Sequence, residues 1–182
     1  MKYAPASWPH YKAKLIEYLR PLVIKGVPSV INELKSMYRD EPAKAVILCE
    51  VLTEMSTSME ENMKLSKDDE EELDPTVQLW LYLFLSQHYM RYAKHGGPEL
   101  YTTSMEYVNK AIEHTPTVLE LYIHKAKLMQ QMGNPREAMK LAEEARNLDH
   151  ADRYLNAHSS KYLFKHNKIQ QANETMALFS RD

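Results

Sequence analysis

The C-terminal third of this chain repeats itself at a spacing of 34 residues, and that spacing restricts the available folds more than any other feature. Ala111 is matched by Ala145, Lys127 by Lys161, Met129 by Leu163, Gly133 by Asn167 and Ala138 by Ala172. Each match has a packing reason. Small residues at 138 and 172 let the second helix of a hairpin approach the first closely. Gly133 and Asn167 stand where a helix must stop in a left-handed conformation, which glycine adopts freely and asparagine tolerates. A helical hairpin of this length cannot bury its apolar face alone, so copies must stack.

The period is that of tetratricopeptide repeats. In this register 122–132 and 135–148 form one antiparallel helix pair, and 153–166 and 168–179 the next. Ser86 and Tyr89 fit the small and large first-helix positions of a preceding pair, but reaching its small position at Ser104 takes an insertion of about six residues around 94–103. Four glycines against nine prolines are too few turn residues for a barrel or a doubly wound sheet. The expected fold is therefore all-α, a tetratricopeptide-repeat-like right-handed superhelix of antiparallel helix pairs. It is read as one helical-repeat domain over 1–182, with N-terminal helices in 1–66, an acidic loop at 67–74 and about three helix pairs in 75–182.

Upstream of the repeats, Pro and Gly divide the chain into helix-length pieces, giving seven or eight helices in all. A first helix is expected over 9–19, then a break at Lys25-Gly26-Val27-Pro28 and one helix carrying Val30, Ile31, Leu34 and Met37. Pro42 opens another, which should bury Val46, Ile47, Val51, Leu52 and Met55. Asp74-Pro75 starts a long helix containing Trp80, Leu81, Leu83, Phe84, Leu85 and Tyr89, apolar nearly all round and so central, that ends at His95-Gly96-Gly97-Pro98.

Net charge is −2, which argues against bulk or sequence-specific nucleic-acid binding. Eight acids fall within 59–74 against Lys64 and Lys67, whereas 151–182 carry five Lys or Arg against three acids, so an anion site belongs near the C-terminal end. The acidic run reads as a solvated loop. The single cysteine, Cys49, has no internal disulfide partner and sits in an apolar run as a core residue. Residues 1–9 lack an apolar signal core and no run is long enough to cross a membrane, so a cytoplasmic protein with no membrane partner is expected.

Catalytic candidates are weak. Gln130-Gln131-Met132-Gly133-Asn134-Pro135 has a glycine at a helix start, as a pyrophosphate loop would, but it ends in Pro and reads as an inter-helix turn. His10, His88, His95, His114, His124 and His150 are scattered, and Met129, Met132 and Met139 read as adaptable core filler. One constellation remains. His158, Lys161, Tyr162 and Lys165 fall at i, i+3, i+4 and i+7 of a helix, with Arg153 one turn earlier and Lys168 across the following turn. In repeat register Lys161 and Lys165 line the concave groove, as do Lys127 and Gln131 one repeat earlier and Gln87 and Arg91 before that. Such a face suits a carboxylate or phosphate-rich ligand. The bland alternative is a solvated helix face around a core tyrosine.

Several segments are also recognisable in order: Tyr18-Leu19-Arg20-Pro21-Leu22 with Lys25-Gly26-Val27-Pro28-Ser29, Ser86-Gln87-His88-Tyr89, Ala111-Ile112-Glu113-His114-Thr115-Pro116, Leu148-Asp149-His150-Ala151-Asp152-Arg153-Tyr154-Leu155-Asn156 and Lys161-Tyr162-Leu163-Phe164-Lys165. Together they resemble the auxiliary subunit of the N-terminal acetyltransferase A complex. The resemblance implies a non-catalytic helical scaffold that wraps a catalytic acetyltransferase subunit and anchors it to the ribosome, where it meets nascent chains. Members of that family are several times longer, so the chain would correspond to an internal piece. In several relatives inositol hexakisphosphate sits between the subunits on the Lys-Tyr-x-x-Lys helix, which carries over to Lys161, Tyr162 and Lys165. No intrinsic cofactor is implied. The alternative is a repeat adaptor whose basic groove holds the acidic C-terminus of a chaperone-type partner.

Overall fold

The computed structural model describes residues 8–179, so the expectation about the N-terminal signal region lies mostly outside the described residues. Ten helices are present among them. They group into two compact units, 1–114 and 115–182, where sequence analysis expected a single domain. The division follows from α5 (Thr76–Gly96), whose apolar surface packs against the N-terminal helices as well as its own hairpin partner, so the first repeat-like pair belongs to the N-terminal unit.

In that unit α1 spans Trp8–Ile24 and buries Leu15, Leu19 and Val23, one turn apart on a single face. The helix runs through Pro21 rather than ending near Leu19. Pro21 is exposed and removes only the hydrogen bond to the Glu17 carbonyl, while the next turn gains a fully buried Val23. The chain then stops in a glycine cap: Gly26 takes φ +63°, its N–H donates to the Val23 carbonyl (3.0 Å), and the Val27 N–H reaches back to Leu22 (3.1 Å).

The expected single helix over Val30 to Met37 is two, α2 (Val30–Glu33) and α3 (Lys35–Asp40), because Leu34 has ψ of 10° and turns the chain so that Met37 and Tyr38 both reach the core. Helix α4 (Pro42–Asn62) buries Ile47, Val51, Leu52 and Met55 as expected. Val46 instead lies on its outer edge, 40% exposed, because the buried stripe runs through Ala45 and Leu48. Cys49 is half-buried, with its Sγ 3.3 Å from the Tyr89 hydroxyl.

The acidic stretch is irregular, as expected, and two of its carboxylates have structural partners. Asp69 accepts from Arg20 of α1 (2.6 Å) and from the Ser66 N–H (3.0 Å); Asp74 accepts from the Thr76 N–H (2.8 Å) at the start of α5. Helix α5 (Thr76–Gly96) is central: Leu81, Leu83, Phe84 and Leu85 are fully buried. Its partner α6 (Leu100–His114) lies close because both helices put serine at the contact. Ser86 Oγ donates to the Ser104 carbonyl and Ser104 Oγ to the Ser86 carbonyl, each at 2.7 Å. The insertion near 94–103 is absorbed by the end of α5, the turn at Gly97 and the start of α6.

His88, which sequence reading left without a role, is 1% exposed within an aromatic cluster. Its Nδ1 lies 2.9 Å from the Tyr38 hydroxyl, its ring stacks on Tyr92, and the neighbouring Tyr89 stacks on Tyr107. Burial lowers the His88 pKa to about 4 and raises that of Tyr38, so the hydrogen-bonded pair consists of two neutral groups.

The second unit comprises α7 (Leu119–Gln131), α8 (Pro135–Leu148), α9 (Arg153–Lys165) and α10 (Ile169–Ala177), each packed on the next. Gly133 and Asn167 have φ of +82° and +58°, the left-handed conformation that the repeat pattern requires. Both close the same cap, with Asn134 N–H to Met129 (2.9 Å) in one and Lys168 N–H to Leu163 (3.0 Å) in the other. Ala138 and Ala172 are fully buried. Met129 and Met139 pack on the core, but Met132, in the turn, is 37% exposed instead of filling it.

Candidate functional site

Helix α9 carries the candidate ligand-binding residues, and its position is set at its N-terminus. Asp152 caps it by accepting from the Leu155 N–H (2.9 Å). Asn156, 1% exposed, donates to the carbonyls of His150 and Asp152 (2.9 and 2.7 Å) and accepts from Arg146 Nε (2.8 Å), tying the α8–α9 turn to both helices. The Asp-Arg-aromatic segment therefore has a structural task, and Asn156 is its centre. Sequence reasoning quoted Asn156 only as part of a motif; the available signal was an amide four residues beyond an N-cap aspartate.

The solvent-facing side of α9 presents His158, Lys161 and Lys165 together with Tyr154, which sequence reasoning missed. The Tyr154 and His158 ring centres are 4.2 Å apart, and His158 Nδ1 is 3.2 Å from the Tyr154 carbonyl oxygen. Partial burial holds the His158 pKa below its ordinary value; the Tyr154 carbonyl opposes this, while Lys161 and Lys127 push it further down. Lys127 of α7 and Lys161 of α9 thus place positive charge around one neutral imidazole. Gln131 is exposed at the last residue of α7.

Tyr162 stands apart from this face. It is 6% exposed and packs with Ala126, Ala138, Leu141 and Ala142, while Lys165 Nζ lies 5.6 Å from its ring centre. Arg153, exposed at the first position of α9, is about 140° around the helix from His158, so it leaves this face where Tyr154 joins it. Lys168 is exposed at the N-cap of α10. In the N-terminal unit, Gln87 donates to the Pro28 carbonyl (3.3 Å) and Arg91 to Asn32 Oδ1 (2.7 Å), so these two groove positions bind back to α2 and the turn before it. His166, also missed, has Nε2 2.7 Å from the Pro135 carbonyl and braces the two repeat turns against each other.

Among the described residues no group of three or more His, Cys, Asp or Glu is arranged to hold a metal ion, and no helix is long and apolar enough to cross a membrane. The arrangement is two helices, α7 and α9, offering ammonium groups beside an imidazole over a tyrosine-filled core.

A model of the family described as "N-terminal acetyltransferase A, auxiliary subunit" matches residues 7–182. The chain belongs to this family. It is 34% identical over 183 residues to the mouse N-alpha-acetyltransferase 16, NatA auxiliary subunit, covering 100% of this chain and 20% of that protein. It is 35% identical over 173 residues to the Arabidopsis thaliana N-terminal acetyltransferase A complex auxiliary subunit NAA15, covering 95% of this chain and 18% of that one. Among solved structures it matches that of Naa15/Naa10 bound to HypK-THB, with a TM-score of 0.77 and 28% identity over 94% of this chain and 23% of the other. The chain thus spans about a fifth of the length of these NatA auxiliary subunits, and membership favours the scaffold reading over the adaptor.

Proposed function

We propose that this chain acts as part of the non-catalytic scaffold of a protein N-terminal acetyltransferase complex, holding the catalytic subunit and helping position it at the ribosome for nascent chains in the cytoplasm. The observation that carries this reading is the likeness to Naa15 in a structure with Naa10, which extends over nearly all of this chain. Acetyl transfer belongs to the partner in this reading. Stacked helical hairpins suit the scaffold role because each adds surface to a neighbour without needing a reactive centre.

Within the scaffold, Lys161 and Lys165 take a polyanion, with Lys127 and His158 beside them; inositol hexakisphosphate is the ligand the family suggests. Each ammonium engages phosphate oxygens in charge-assisted hydrogen bonds, and buried Tyr162 holds the helix in place beneath them.

Co-expression with a catalytic acetyltransferase subunit tests the first part. The two should co-purify, and activity on a Ser- or Ala-starting peptide with acetyl-CoA should require the partner; turnover by the pure chain overturns the reading. Calorimetry of the pair with inositol hexakisphosphate tests the second. The Lys161→Ala/Lys165→Ala variant should lose at least about tenfold in affinity, and unchanged binding reduces this face to a solvated helix surface.

A further inference from the structure

We propose that Ser66 is a phosphorylation site for an acid-directed protein serine/threonine kinase, and that the phosphate it gains docks on Arg20 in the cavity between α1, α4 and the acidic loop. The first ground is sequence chemistry. Ser66 is followed by Asp68, Asp69, Glu70, Glu71 and Glu72, a run of carboxylates that a kinase with a basic substrate groove reads as a charge pattern. Thr57, Ser58, Thr103 and Thr117 also have an acid three residues on, but the first three lie within helices and Thr117 is followed by the single acid Glu120 rather than by a run. Ser66 lies in irregular backbone between α4 and α5 and is half-buried. Its local turn is closed by Asp69 N–H to the Ser66 carbonyl (3.2 Å), Ser66 N–H to Asp69 Oδ2 (3.0 Å) and Asp68 N–H to Ser66 Oγ (3.4 Å), and these bonds open when the segment extends into a kinase cleft.

The second ground is the cavity. It has a volume of about 460 Å³, and its lining includes the cations Arg20 and Lys67, the carboxylates Glu54 and Glu61, and Ser58 and Ser66, so the phosphate must settle at the Arg20 and Lys67 end. Ser58 is 7% exposed, and its buried Oγ has no hydrogen-bond partner. Arg20 is held by Asp69 at 2.6 Å. Phosphoryl transfer forms the Ser66 Oγ–P bond, breaks the bond between the γ-phosphorus of MgATP and its bridging oxygen, and releases MgADP; the hydroxyl proton passes to the kinase's base. A phosphoserine brings nearly two negative charges and three acceptor oxygens beside Asp69. It repels that carboxylate and takes the Arg20 fork, whose paired N–H groups match phosphate geometry. The loop then stays tethered to α1 through a different anion.

The test treats the chain with an acid-directed serine/threonine kinase and MgATP and locates the added phosphoryl group by peptide mass spectrometry. One group is expected on Ser66, none in Ser66→Ala, and incorporation about tenfold slower in the Glu70→Gln/Glu71→Gln/Glu72→Gln variant, whose altered side chains are all exposed. No label on Ser66, or an equal rate in the triple variant, overturns the site. Phosphorus NMR titration then reads the docking. In the folded chain the phosphate's second ionisation should fall below its usual value of about 6, and it should return upward in urea and in Arg20→Gln. A midpoint that neither change moves overturns the docking.

Discussion

Gly26→Ala puts the argument about the N-terminal unit at most risk, because two separate penalties meet at one atom. Gly26 ends α1 at φ +63°, a conformation that costs an L-residue about 1–2 kcal/mol. Reduced freedom of the unfolded chain returns about 0.4–1 kcal/mol, leaving a net backbone cost near 1 kcal/mol. The added methyl would also fall 2.1 Å from Trp80 Nε1 and 2.3 Å from Cε2, so the indole must leave its seat. Displacing a packed ring adds about 1–3 kcal/mol, for a total of about 2–4 kcal/mol. Gly133→Ala is the control, since at φ +82° its new methyl meets no atom within 4 Å and only the backbone cost applies. Urea unfolding followed by far-ultraviolet circular dichroism measures both. Trp80→Leu completes a double-mutant cycle: in that background Gly26→Ala should cost only the backbone share. An equal cost of Gly26→Ala with and without the indole would refute the packing of α1 against α5 at this turn.

Three further outcomes are expected. Gly133→Val should cost about 1–2 kcal/mol through conformation alone, because a β-branched side chain resists positive φ; an unchanged urea midpoint would mean that the repeat turn is not left-handed there. Stability should fall as pH drops from about 6.5 toward 4, because the unfolded chain protonates His88 in this window while the folded chain does not until its pKa of about 4. The contribution is fully present above 6.5 and amounts to about 3 kcal/mol, at about 1.4 kcal/mol per pH unit; urea midpoints for His88→Gln should flatten in that range, and a slope equal to the parent's would refute the assignment. Asn156→Ala removes three hydrogen bonds and leaves Arg146 and two carbonyls to find water, so about 2–4 kcal/mol should be lost, and a loss under about 1 kcal/mol would contradict its role in the turn.

The sequence made the hairpins legible wherever a single residue type has one physical use. Gly133 and Asn167 announce left-handed stops, Pro135 a helix start, and Ser86 with Ser104 a close helix contact; all four appear in the structure. What escaped depends on competition between local and distant terms. The first helix was expected to stop at 19, short of Pro21, yet burial of Val23 one turn beyond Leu19 outweighs the one bond that Pro21 removes. Leu34 carries no glycine or proline to mark its bend. The boundary after His114 was hidden for a related reason: the 34-residue period groups α5 and α6 with later hairpins, while the wide apolar surface of α5 commits that pair to the N-terminal helices.

At the candidate site, counting i, i+3, i+4 and i+7 gathered four residues that the fold sorts onto two sides of α9. Spacing alone cannot separate them, since adjacent positions differ by about 100° and a generous face admits both. The repeat itself held the missing information. In repeat register position 161 matches Lys127 and position 165 matches Gln131, and all four side chains are exposed, whereas position 162 matches Leu128, which is fully buried. A polar or charged residue recurring at one register position marks the open face, and an apolar partner at the next marks the core. Ala126, Ala138 and Ala142 make the same point from the other side: three small residues on two helices leave a space that a large ring from the third must fill, and Tyr162 fills it. Read this way, the charge of the site belongs to Lys127, Lys161 and Lys165, and the tyrosine fixes where those ammonium groups stand.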